Sequence, residues 1–364
     1  MIQEQESIET SPSTPPSHSQ KRVKKQYGGF RLWQLILPVG ISLFVIYLMK
    51  DQFTPEAFKE LTFEPRMILG IFLALVAWGV QNVAMAYRYY TLADKRMSIW
   101  GALRVTLLAD FASSVTPSAV GGSSVVFLFL SKEGVSGGRA TAMTISGLFL
   151  DESFMATLSI FLLILLKQGL EISNVPALSV GLNITLIVLA VVLTLWTLAL
   201  YISLFHKSSW VGNILLWITS WKPLRKFRKS AEKVKQDIQI TSQEMIHKDW
   251  KYWIKLYGAT IVSWVGRFCI ACMLVYGFCN VPFNLWVAFI HQIAIWILAI
   301  IIPTPGGSGF AEYMFQVAYI DFFASPAIAL IVALMWRAIT SFSYLFIGPA
   351  VLMYQLRNKK PVIE

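Results

Sequence analysis

The sequence predicts an all-α polytopic membrane protein with six full spans plus two re-entrant hairpins in an inverted repeat. Three observations carry that expectation. The 364 residues are 56% hydrophobic and only 14% charged, with a mean hydropathy of +0.59, whereas soluble domains carry about 25% charged residues. Long apolar stretches recur along the whole chain. Two of these stretches are broken at their centres by similar motifs, lying about half the chain apart. One is Thr116-Pro117-Ser118-Ala119-Val120-Gly121-Gly122, and the other is Pro303-Thr304-Pro305-Gly306-Gly307-Ser308-Gly309-Phe310-Ala311-Glu312.

Residues 1–30 open the chain as an expected disordered cytoplasmic tail, since the first 20 are polar and rich in Ser, Pro and Glu. No cleavable signal is evident there. Stretches 32–49, 67–87, 142–166, 179–205, 253–279 and 327–354 are near or above the roughly 20 residues that cross a bilayer as helix. Stretches 100–130 and 284–320 carry the motifs. Proline removes a backbone donor and glycine tolerates unusual dihedrals, so each motif interrupts its helix. The arms 100–115 and 119–130, and 284–302 and 308–320, then read as hairpins, the alternative being that some arms cross fully. Broken backbone at membrane depth persists only where protein buries it or a wet cavity lies beside it.

Loop charge tests the scheme. Lys21, Arg22, Lys24 and Lys25 place the N-terminus inside. Loop 50–66, with four acidic and three basic residues, falls outside, and Arg88, Lys95 and Arg96 fall inside. Lys132 and Arg139 are inside if the first hairpin enters from the cytoplasm. The loop 206–252 carries ten Lys/Arg against four Asp/Glu and is inside, as are Arg357, Lys359 and Lys360 in the tail 356–364. The expected location is the cytoplasmic (inner) membrane with both termini cytoplasmic, around a transmembrane domain at 31–355. Lys222 to Lys235, preceded by Trp210, Trp217 and Trp221, reads as a basic helix on the anionic leaflet, either as simple anchoring or as a collector of anionic lipid. The net charge of +11 lies in such loops and does not imply nucleic acid. Cys269, Cys272 and Cys279 share one apolar run without further ligands in metal spacing, so no metal and no cofactor are expected.

Repeat one (67–166) and repeat two (253–354) then have opposite orientations. Interrupted segments in corresponding places of two halves point to a transporter's binding site at the repeat interface. Ionisable residues inside spans mark function by default. Asp151 and Glu152 follow the first motif at nearly the distance at which Arg337 follows the second, and Arg267 precedes the second motif as Gln81-Asn82 precede the first. Arg267 and Arg337 suit an anionic headgroup, because guanidinium grips phosphate bidentately. The tips, through Thr116, Pro117, Gly121, Gly122, Thr304, Pro305, Gly306, Gly307 and Gly309, offer backbone N–H groups to the same anion. Asp151, Glu152 and Glu312 would balance charge or carry a proton. Each has a plainer alternative: an Asp151 or Glu152 ion pair with Arg337 that fixes register, a Glu312 helix cap, glycines that serve tight hairpin packing alone. Arg88, Arg96 and Arg104 read as interface anchors rather than ligands.

The run Pro303 to Glu312 resembles the PxPGGxGxxE signature of the flippase-like membrane family that includes the transmembrane region of lysylphosphatidylglycerol synthases. Thr116-Pro117 with Gly121-Gly122, the basic segment Lys132–Arg139 and the acid on the next span are similar to that family's first half, over roughly residues 30–355. Ser123-Ser124 stand where the commoner pattern has arginines. The resemblance implies movement of a lipid or lipid-linked group between leaflets, and some relatives are linked to polyisoprenyl-phosphate sugar pathways. The chain ends soon after its last span, so it is not expected to carry the aminoacyl-transfer domain that makes lysyl lipid.

Two classes of function follow. In one, a transporter flips an anionic, aminoacylated or polyisoprenyl-linked lipid through a midplane site between the hairpins. The alternative is a membrane enzyme or accessory protein that handles a lipid-phosphate sugar donor, which would want carboxylates at the cytoplasmic edge; Asp94 and Glu133 stand there without forming a cluster. A scaffold partner for a lipid-modifying enzyme is a third reading.

Overall fold

The computed structural model describes Tyr47, residues 64–116, 121–167, 176–206, 247–299, 304 and 307–357, with isolated positions between 213 and 246. Expected span 32–49 (apart from Tyr47), Pro117, Pro305, Gly306 and most of the basic loop lie outside the described residues. Helix α1 is Pro65–Leu92, α2 Ile99–Val115, α3 Gly121–Lys132 and α4 Gly137–Lys167. Helix α5, Pro176–Tyr201, continues into a π-helical turn at Ile202–His206. Helix α6 is Trp250–Phe278, α7 Leu285–Ala299 and α8 Phe310–Tyr319, followed by a 3₁₀ turn at Ile320–Phe322. Helices α9 (Pro326–Arg337) and α10 (Ser343–Arg357) are joined by a π-helical turn at Ala338–Phe342. The chain is an all-α polytopic membrane protein.

Local chemistry starts several of these helices. Pro65 and Pro326 stand in the first turns of α1 and α9, where a missing N–H leaves no bond unmade. The Ser98 hydroxyl caps α2 by accepting the Gly101 N–H at 3.1 Å. Five helical segments are long and apolar enough to cross a membrane: Pro65–Leu92, Gly137–Leu165, Ile184–Phe205, Trp250–Phe278 and Pro326–Gln355. Helices α2, α3, α7 and α8 have 17, 12, 15 and 10 residues, short of the roughly 20 a crossing needs. They flank the two motifs in pairs, so the order long, short, short, long occurs twice.

The centre of the fold is the antiparallel pair α1 and α6. A Cβ added at Gly70 would lie 2.7 Å from the Gly277 Cα, and one at Gly266 would lie 3.1 Å from the Ala77 carbonyl oxygen. Further along, the Ser263 hydroxyl donates to the Gln81 carbonyl at 3.3 Å, and Arg88 Nη1 donates to Thr260 Oγ1 at 3.2 Å. Lipid tails are as apolar as the helices, so close backbone approach through small residues drives such pairing.

Each unit of four helices builds its own apolar core and borrows one end of the other unit's first helix. Tyr89, Val105, Leu130 and Met143 of the first unit pack with Leu256 of α6. Ile270, Phe315, Tyr319 and Trp336 of the second pack with Met67 and Ala74 of α1. Helix α5 stands at the side, using Leu186 and Leu193 against α4 and α7. Its Ile184, Ile187, Val191, Leu195 and Leu198 are exposed as an apolar stripe at helical spacing, the surface a lipid-facing helix presents.

The close approach at Gly70 makes a sharp prediction. Gly70→Val is expected to lower stability by about 1–3 kcal/mol through overpacking. Gly79→Ala meets nothing within 4 Å and should be neutral or gain up to about 1 kcal/mol from helix propensity. Thermal unfolding in detergent, followed by tryptophan fluorescence, checks both; equal melting of the two variants would contradict the packing described.

Candidate functional site

The second tip is shaped by two glycines. Gly307 and Gly309 have φ of +73° and +86°, a region side chains rarely adopt. Gly309 precedes α8, and its N–H donates to Glu312 Oε2 at 2.7 Å. Glu312 is 1% exposed and faces the positive end of α8. Its Oε1 accepts from Arg337 Nε at 3.1 Å, and Arg337 Nη2 donates to the Ser308 hydroxyl at 3.2 Å. The tip is thereby tied to α9. At the first tip, α2 ends in Thr116, whose hydroxyl donates to the Ala112 carbonyl at 2.7 Å. Gly121 and Gly122 open α3.

Beside the second tip lies a cavity of about 180 Å³, which the α2 arm of the first hairpin also lines. Its lining includes Asp110, Ser113 and Ser114 of α2, Asp151 of α4, Trp264 and Arg267 of α6 and Trp296 of α7. Thr304 and Gly307 come from the second tip, and Trp336 and Arg337 from α9. Thr340 and Ser341 of the π turn complete it; a π turn interrupts regular helical bonding and recurs at functional sites. Asp151 lies near the midpoint of α4, and Arg267 is well inside α6.

Three arginine–carboxylate pairs surround this space. Arg88 donates to both oxygens of Asp151, at 2.6 and 2.9 Å, and Trp264 Nε1 donates to the same carboxylate at 2.9 Å. Arg267 Nη2 donates to Asp110 Oδ1 at 2.7 Å. The Arg267 guanidinium carbon stands 5.3 and 5.4 Å from the rings of Trp264 and Trp296, within cation–π range. The third pair is Arg337 with Glu312. The charges of the three pairs cancel. Against this, Thr304 Oγ1, Trp296 Nε1 and Trp336 Nε1 are buried without a hydrogen-bond partner among the described residues. Uncompensated buried donors are uncommon in native structures.

The pairings differ from those expected. An Asp151–Arg337 bond is absent: Asp151 bonds Arg88, and Arg337 bonds Glu312. The reason is helical rotation. Asp151 turns toward α1 and α6, while the third position of α8 brings Glu312 back over its own tip beside Arg337. Arg88 is not an interface anchor; it is 1% exposed. Arg96 is exposed. Arg104 donates to both oxygens of Glu133 at 2.8 Å, and Gln355 Nε2 adds a third bond to that carboxylate at 3.0 Å. Glu312 does cap its helix, in addition to pairing with Arg337. Gln81 and Asn82 reach the Tyr344 hydroxyl at 3.2 and 3.0 Å.

Of the residues singled out from the sequence, Asp151, Arg267, Thr304, Gly307 and Arg337 line the cavity, and Gly309 and Glu312 hold its edge. Thr116 spends its hydroxyl within its own helix. Glu152 is half-buried next to Asp151 and is not among the described lining residues. Asp110 and the three tryptophans were not assigned a role; an indole in an apolar run reads as packing. Asp94 is held by Arg139 at 3.2 Å and Lys248 at 2.7 Å, and Arg139 also pairs with Glu244. Among the described residues no group of three or more His, Cys, Asp or Glu side chains is placed to hold a metal.

The Arg88–Asp151 pair predicts a double-mutant result. Asp151→Asn leaves a buried guanidinium without its counter-charge and should cost about 3–5 kcal/mol. Arg88→Met with Asp151→Leu should recover most of that loss. Detergent melting of the single and double variants measures this; a double variant as unstable as the single one would refute the pairing.

Residues 35–348 match the family described as the lysylphosphatidylglycerol synthase TM region. A UPF0104 membrane protein of Archaeoglobus fulgidus is 26% identical over 274 residues, which span 73% of this chain and 79% of that protein. The family match covers both hairpin motifs, the first three long helices of the two units, most of the last and the residues that line the cavity. The chain belongs to the lysylphosphatidylglycerol synthase TM-region family, membrane proteins linked to lipid handling.

Proposed function

We propose that the protein flips a lipid between leaflets, with the headgroup passing through the cavity between the second tip and the α2 arm of the first hairpin. The observation that carries this reading is the convergence of both interrupted segments, two arginines and three unpartnered donors on one space well inside the long helices. A charged headgroup crossing bare hydrocarbon would lose its hydration at very high cost; donors and guanidinium groups at depth replace that hydration. The cargo is an anionic, aminoacylated or polyisoprenyl-linked lipid. The opposed directions of α1 and α6 support an inverted repeat, and rocking one unit against the other would expose the cavity to each leaflet in turn. Both termini are placed in the cytoplasm in this reading, and a lipid-modifying enzyme is the natural partner. Glycosyl transfer is less well supported, because Asp94 and Glu133 are engaged by basic side chains rather than gathered as an acid–base or metal site.

Leaflet exchange of labelled lipids in proteoliposomes tests the proposal. Purified protein should accelerate exchange of one headgroup class. Arg267→Gln and Arg337→Gln should each slow it by about tenfold or more, since a hydrogen bond to a charged group is worth about 1.5–3 kcal/mol. Parental exchange equal to that of empty vesicles, or folded variants that exchange at the parental rate, would sink it.

A further inference from the structure

The cavity is electrically balanced yet rich in unused donors, and those two facts constrain what enters it. Trp264 has an acceptor in Asp151. Trp296 Nε1, Trp336 Nε1 and Thr304 Oγ1, in the same lining, have none. An indole N–H can only donate, so its missing partner is an acceptor. Two such groups and the Thr304 hydroxyl, which can also donate, beside two guanidinium groups match a ligand with several oxygens on one centre, which is the chemistry of a phosphate mono- or diester.

A full negative charge would still meet arginines that already have partners, so one pair must open. The pairs are not equally held. Asp151 takes two bonds from Arg88 and one from Trp264, and Glu312 is bonded to both Arg337 and the Gly309 N–H. Asp110 contacts Arg267 through one nitrogen, and both side chains are about one-sixth exposed, at 15% and 16%. We propose that the cavity is a phosphate site in which Trp296, Trp336 and Thr304 donate to the ligand and Arg267 exchanges Asp110 for it. Asp110 thus occupies the anion's place when the site is empty. This rests on the cavity being the headgroup site and adds the group recognised and the exchange that admits it.

The test measures binding, not transport. Full-length protein in detergent is titrated with a short-chain phosphatidic acid, a short-chain phosphatidylglycerol, inorganic phosphate and a short-chain diacylglycerol, and indole fluorescence is read. The phosphate-bearing lipids should perturb fluorescence saturably, and diacylglycerol should not. Asp110→Asn should bind them more tightly, by on the order of tenfold, because Arg267 is no longer neutralised. Arg267→Gln should abolish binding, and Trp336→Phe, which removes the donor and keeps a smaller aromatic ring, should weaken it severalfold. Saturable response to inorganic phosphate alone would identify a free-phosphate site; a response confined to the lipids would identify a headgroup site. Equal binding of diacylglycerol, or weaker binding by folded Asp110→Asn, overturns the proposal. Isothermal calorimetry on the same variants separates altered affinity from altered fluorescence. Binding as expected without leaflet exchange removes the transport reading and keeps the phosphate site; exchange indifferent to Asp110→Asn and Trp336→Phe does the reverse.

Discussion

A charge held deep among apolar helices must have its counter-charge within reach, and much of this structure follows from that constraint. Insertion scales place a single Arg or Asp at the centre of a span at roughly 2.5–3.5 kcal/mol unfavourable. The protein keeps three such arginines, each bonded to a carboxylate from a different element: Arg88 of α1 with Asp151 of α4, Arg267 of α6 with Asp110 of α2, and Arg337 of α9 with Glu312 of α8. Every pair joins a long helix to another helix of the assembly. The pairs therefore set rotation and depth as well as neutralising charge, a role that uniform apolar faces with period 3.6 perform poorly.

The same constraint explains the backbone at the tips. A helix broken at depth leaves N–H and C=O groups without partners. At the second tip the Glu312 carboxylate takes the Gly309 N–H and holds Arg337, so one side chain serves the backbone and the ion pair together. The positive φ values of Gly307 and Gly309 are what allow the chain to turn back within so few residues. The antiparallel pairing of α1 and α6 through Gly70, Gly266 and Gly277 then brings the two units close enough for the α2 arm of the first hairpin and the second tip to share one cavity.

The helices were legible in the sequence because apolar length is a direct signal; the expected stretch 253–279 is Trp250–Phe278, and 327–354 lies within Pro326–Arg357. The misjudged ends have a common cause. The apolar stretch 67–87 ends before Arg88, yet α1 runs to Leu92, because Asp151 neutralises Arg88 and lets the helix continue inside protein. Stretch 142–166 was opened after Arg139, yet α4 starts at Gly137, because Asp94 and Glu244 hold that arginine. Within the cavity, Arg267, Arg337, Thr304 and Gly307 stood out as charge or turn chemistry in apolar runs. The partners did not, since which carboxylate meets which arginine depends on helix rotations that spacing cannot specify. Trp296 and Trp336 were invisible for another reason: their apolar rings match their surroundings, and only the unpaired N–H marks them.

That unpaired state is itself informative about what the cavity is for. A buried donor without an acceptor costs about 1–3 kcal/mol, and three occur here in one small space. Valine in place of Thr304 would keep the shape and relieve its penalty, and phenylalanine in place of Trp296 or Trp336 would remove the unpaired donor together with part of the ring volume. A cavity serving only as packing between hairpins would gain stability by such replacements. Retaining the donors makes sense where a second state of the molecule satisfies them, and the neighbouring Arg267–Asp110 pair, which lines the same space, supplies the charge for an acceptor to bind against. Stability withheld from the empty site becomes discrimination in the filled one, because a ligand lacking acceptor oxygens leaves those donors as orphaned as before.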